Sequence, residues 1–137
     1  MLPPTGYSGT PLSKKLGYRD SSRVYLSGAP SDFTRLVEPL PQGVRFVKTV
    51  DAATEIVHVF VTDRAKLAKF LASCRKKLKP EAIVWVSWPK KSSKVPTTVD
   101  ENVIRELALP LGFVDIKVCA IDETWSGLKL VVRKTLR

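Results

Sequence analysis

The apolar positions change period several times along the chain, and each change marks an element. Short β-rich runs at Arg23–Ser27, Val44–Val47, Ile56–Val61 and Ile83–Trp88 predict four strands, the third almost wholly apolar, as expected of a central strand covered on both faces. Between the last two, Leu67, Phe70, Leu71, Cys74 and Leu78 recur at helical spacing, so a helix from Asp63, its N-cap, to Lys79 is expected, stopped by Pro80. Ser31 or Asp32 is expected to cap an earlier helix ending near Pro39 and Pro41, and Thr10, Pro11 and Gly17 frame a short helix before the first strand. The pattern Thr98-x-x-Glu101 reads as a capping box for a further helix, with Val103, Ile104, Leu107, Ala108 and Leu111 on its apolar stripe and Gly112 at its end.

Two final runs, Phe113–Ile121 and Leu128–Lys134, are joined by Asp122-Glu123-Thr124-Trp125-Ser126-Gly127, too short for a crossover helix, so these strands must be antiparallel. The fold class is therefore α/β: a three-layer, Rossmann-like arrangement with a mostly parallel sheet, right-handed crossovers and a closing antiparallel hairpin. At 137 residues the chain fits one domain, with residues 1–20 as an ordered N-terminal segment.

Composition narrows the classes. An apolar fraction of 44% with 26% charged residues excludes disorder and fibrous repeats. No apolar run approaches the roughly 20 residues that cross a bilayer, and the N-terminus does not read as a secretion signal, so a cytoplasmic protein with no membrane association is expected. The two cysteines, Cys74 and Cys119, have neither the spacing nor the partners of a metal site, and His58 sits inside an apolar strand run where a packed core histidine is expected. Charge is unusual: of a net +10, nine units fall between Arg64 and Lys94, where ten basic residues face one acid, Glu81.

The order of elements resembles a class I methyltransferase domain that lacks one strand and one helix near its second crossover. The strings Gly6-Tyr7-Ser8-Gly9-Thr10-Pro11-Leu12, Trp88-Pro89-Lys90-Lys91, Leu109-Pro110-Leu111-Gly112 and Asp122-Glu123-Thr124-Trp125-Ser126-Gly127-Leu128-Lys129 together resemble a small bacterial family described only as methyltransferase-like. The resemblance implies a shared fold. It brings no established activity, so no catalytic residue is assigned. In methyltransferases of this class a glycine-rich turn after the first strand and an acid ending the second hold S-adenosylmethionine. Here the turn reads Ser27-Gly28-Ala29-Pro30-Ser31-Asp32, with one glycine and a proline that removes a backbone donor, and the second strand ends Val47-Lys48-Thr49. No cofactor is therefore expected. The alternative is S-adenosylmethionine held by Ser27, Gly28 and Asp51.

Ligands of open α/β sheets bind beyond the carboxyl ends of the strands. The residues delivered there include Trp88, Lys90, Lys91, Asp122 and Trp125, a mixture able to pair an aromatic face with phosphate-binding cations. The plainer reading has Trp125 covering the sheet end and the two lysines paired with Asp122 and Glu123. Arg75, Lys76 and Lys77 crowd the end of the Asp63–Lys79 helix and, with Lys94, exceed what a helix terminus requires. The leading expectation is a non-enzymatic binding module whose basic face holds an anionic partner such as nucleic acid. Its alternatives are an S-adenosylmethionine-dependent methyltransferase with an atypical turn and a scaffold or subunit that docks an acidic protein.

Overall fold

The central strand is buried at every position. In a computed structural model that describes residues 9–137, β3 (Ile56–Phe60) lies between β1 (Arg23–Ser27) and β4 (Ile83–Pro89), paired in parallel with both. The remaining strands are β2 (Arg45–Val47), parallel to β1, and the antiparallel pair β5 (Phe113–Ala120) and β6 (Trp125–Val132), with β6 against β4. The six-stranded sheet has the order β2-β1-β3-β4-β6-β5. The mostly parallel, Rossmann-like architecture and its antiparallel ending thus stand as the sequence implies. Of the string Gly6–Leu12, residues 6–8 fall outside the described residues.

Helices α3 (Arg64–Lys77) and α4 (Glu101–Ala108) cover one face, burying Leu67, Leu71, Cys74 and Ile104 against Val57, Val84, Leu128 and Leu130. The other face carries the short α1 (Leu12–Lys15) and α2 (Phe33–Leu36), where Leu16, Phe33 and Val37 pack on Val24, Ile56, Phe60 and Trp85. Asp63 caps α3 as expected, its carboxylate accepting from Lys66 N at 2.9 Å.

Other local features depart from the sequence reading. Helix α2 spans four residues, shorter than expected, and neither Asp32 nor Ser31 caps it through a side chain, although Asp32 occupies its N-cap position. Pro11, not Thr10, occupies the N-cap of α1. Asp100 caps α4 through Val103 N, while Thr98 Oγ1 accepts from Arg64 N and donates to Thr62 O. Strand β6 begins at Trp125, earlier than Leu128, because the Asp122 carboxylate closes a tight turn on Thr124 N and Trp125 N. From β2 to β3 the chain crosses β1 through residues 48–55 with no helix, so this is where the domain is shortened.

Candidate functional site

The strand order reverses about β1, since β2 lies on one side of it and β3 on the other, which makes the carboxyl ends of β1 and β3 the topological switch point. Ser27 and Gly28 leave β1 there. Gly28 adopts φ +69°, a left-handed conformation, and a Cβ on it would lie 2.6 Å from the carbonyl oxygen of Phe60 on β3. Glycine is therefore required for bare backbone to rest on the neighbouring strand. Beyond it, Phe60 stacks on His58 at 4.3 Å and meets Phe33 and Trp125 edge to face at 5.2 and 5.3 Å. Trp125 is half-buried over the sheet end, in keeping with the plainer reading of that residue.

Trp88 is only 8% exposed and packs with the α3 and α4 core, so its ring offers no open stacking face. Lys90 is tied down: its backbone N donates to Thr124 O and its Nζ to the backbone carbonyl of Asp122, both at 2.8 Å. The carboxylate pairing expected between Lys90 and Asp122 does not form, because the Asp122 carboxylate is consumed by its own turn. Lys91 and Lys94 flank a single 3₁₀ turn and are exposed, Lys94 in a left-handed conformation at φ +60°.

A cavity of about 680 Å³ opens beside this loop, lined among others by Trp88, Lys90, Lys91, Thr98, Asp100 and Arg105. Arg105 is fixed across one wall by Glu101 at 2.8 Å and Asp115 at 2.9 Å. Its guanidinium is raised above its usual range by the hydrogen bonds to Asp115 first and Glu101 second, so it stays charged. The Thr98, Asp100 and Arg105 side of this cavity went unread in the sequence, where Thr98 and Glu101 look like a helix cap and nothing more.

Other expected site residues lie elsewhere. Asp51 accepts from Ala53 N at 2.8 Å in a turn whose following residues, Ala52–Glu55, reach the amino ends of β3 and β4, so it does not join Ser27 and Gly28. Arg75, Lys76 and Lys77 end α3 and therefore sit at the amino edge, a helix length of about 20 Å from its start at the carboxyl edge. Arg75 Nε donates to Leu111 O at 3.0 Å. The single basic face read from the sequence is thus divided between opposite edges of the sheet: Lys90, Lys91 and Lys94 at one, Arg75, Lys76 and Lys77 at the other.

His58, Cys74 and Cys119 are packed residues. His58 is fully buried, with Nε2 2.7 Å from Ser87 Oγ, and burial holds its pKa down to about 3. Burial pushes the Cys74 thiol up to about 12 and raises that of Cys119 as well. Among the described residues no three His, Cys, Asp or Glu side chains converge as metal ligands, and no helix is long and apolar enough to cross a membrane.

This strand order, with its antiparallel ending and glycine turn at the switch point, defines a class I methyltransferase-like fold. Solved structures agree. A SAM-dependent methyltransferase from Aquifex aeolicus matches with a TM-score of 0.62 at 15% identity over 88% of this chain and 87% of that one. An S-adenosylmethionine-dependent methyltransferase from Clostridium acetobutylicum matches with a TM-score of 0.56 at 7% identity over 88% and 86%. The complex of LepI with SAM gives a TM-score of 0.57 at 10% identity, covering 90% of this chain but 47% of LepI. No protein-family model matches the chain, and no curated protein sequence does.

The expectation of no cofactor is corrected by these neighbours. Two of them are SAM-dependent methyltransferases and LepI is solved in complex with SAM, so the neighbours of this fold point to S-adenosylmethionine and not to the absence of a cofactor. The residues present fit it in part. Gly28 supplies the bare turn at the switch point, whereas Asp51, engaged in its own turn, does not supply an acid to it.

Proposed function

We propose that this chain is an S-adenosylmethionine-dependent methyltransferase. The observation that carries the reading is Gly28, in a left-handed turn at the carboxyl end of β1, at the switch point of a sheet with methyltransferase order. Ser27 and Gly28 are the residues that would hold the cofactor, through backbone brought close by the missing side chain. When bound, the cofactor supplies an activated methyl group on a sulfonium for a nucleophilic acceptor. The cavity beside Trp88 and Thr98 is the place for that acceptor, with Lys91 exposed at its rim and Arg105 a fixed cation in its wall.

Isothermal titration of the purified chain with S-adenosylmethionine and S-adenosylhomocysteine tests the reading. Saturable binding that is lost in Ser27→Phe, with the fold retained by circular dichroism, supports it. Absence of saturation up to millimolar ligand would sink it.

A further inference from the structure

A second cavity, of about 550 Å³, opens at the amino ends of β3 and β4, the edge opposite the candidate site. Arg19, Ser22, Glu55, Lys79, Glu81 and Lys129 are among its walls. The segment after α1 builds this side of it. Trp85 Nε1 donates to Leu16 O at 2.9 Å, pinning that segment to β4. Gly17 follows at φ +87°, where a Cβ would stand 3.3 Å from Ile83 Cδ1, so the chain passes close over the sheet and delivers Arg19 to the cavity.

Lys129 projects from β6 beside it. It is in register with Lys117 on β5 and Trp85 on β4, and it is only partly exposed. Its ammonium is depressed below the ordinary lysine range by burial first, then by Lys117 and Arg19. The ion pairs among the described residues are Arg64 with Glu106 and Arg105 with Glu101 and Asp115, so none of them neutralises Arg19, Lys117 or Lys129. Glu55 and Glu81 stand on the β3 and β4 side of the cavity, and Glu55 Oε1 already accepts from Arg23 N at 3.1 Å. Arg19 and Lys117 are exposed, and Lys117 Nζ reaches the carbonyl of Lys15 at 3.4 Å, so the half-buried Lys129 is the charge that an anion in the cavity would complete.

We propose that this cavity binds a small phosphate-bearing ligand of sugar-phosphate size, its phosphate held by Arg19 and Lys129 within the field of Lys117. Glu55 and Glu81, which line the same cavity, are the acceptors available to the ligand's hydroxyl groups. The site lies at the opposite edge of the sheet from the methyltransferase crevice, so its occupancy and that of the crevice are separately measurable.

Calorimetric titration of the full chain with ribose 5-phosphate and, separately, inorganic pyrophosphate tests it, alongside Lys129→Met and Arg19→Gln. Each variant is expected to weaken binding about tenfold or more, the scale of one charge-assisted contact. Lys129→Met is also expected to unfold at a higher temperature than the parent, because it removes a like charge from the cluster. Saturation by ribose 5-phosphate supports the proposal, and saturation by pyrophosphate alone overturns its assignment to a sugar phosphate. Affinity unchanged in both variants, or no saturation by either probe, overturns the proposal. Binding of a single-stranded oligonucleotide in place of both probes would also overturn it, since that would make the feature a surface and not a cavity.

Discussion

His58 has the pKa of a residue whose folded state refuses a proton. Its folded value, about 3, lies below the ordinary 6.5, so between these values the unfolded chain binds a proton that the folded chain does not. Stability therefore rises with pH across that window and is lost as pH falls. In urea titrations between about pH 5 and 6.5, where most carboxylates are already ionised, His58→Gln should flatten the slope. An equal slope in the variant would mean that His58 titrates normally. Gly28 makes the second prediction at this scale. Gly28→Ala combines a left-handed φ with a Cβ 2.6 Å from a backbone oxygen that has no flexible side chain to move aside. A loss of at least about 1–3 kcal/mol in denaturant unfolding is expected, with β1 and β3 forced apart. His58 was legible as a core residue because its neighbours in sequence are apolar, whereas the contact that demands Gly28 comes from Phe60, which no local pattern connects to it.

At the scale of elements, the helix caps discriminate between what local spacing implies and what folding selects. Asp100→Ala should cost about 1 kcal/mol by removing the acceptor for Val103 N. Glu101→Ala should cost only a few tenths, since its ion pair with Arg105 is partly exposed. Thermal unfolding of the two variants ranks them, and the reverse ranking would restore the Thr98-x-x-Glu101 box. Thr98 matches a capping motif in sequence, yet it is drawn away by Thr62 and Arg64, which the fold brings from more than thirty positions upstream. Asp63, by contrast, was readable as a cap because both partners, the aspartate and Lys66 N, lie within one turn of each other. The long helix and the strands were legible for the same reason: periodicity is a local property.

At the scale of the molecule, a ligand that binds only the folded state stabilises it by mass action. S-adenosylmethionine at a hundred times its dissociation constant should add about 2.7 kcal/mol, visible as a concentration-dependent rise in melting temperature. No shift at any concentration would count against the proposed function. The alternation of elements and the short last connection were enough to imply the parallel sheet, its antiparallel ending and the methyltransferase-like order, because those depend on the sequence of periods and on connection length. Which charges stand together was decided only in three dimensions. The basic residues between Arg64 and Lys94 are neighbours in sequence, but α3 and β4 each traverse the sheet and deliver them to opposite edges. Conversely, Arg19 and Lys129 lie near opposite ends of the sequence and line one cavity because the segment after α1 is pinned to β4. Sequence by itself determined the elements and their order, since these follow from local period and chain connectivity. The crevice, the cavities and the charge clusters were decided by tertiary structure, because each is made of groups that only the closure of the sheet brings within reach.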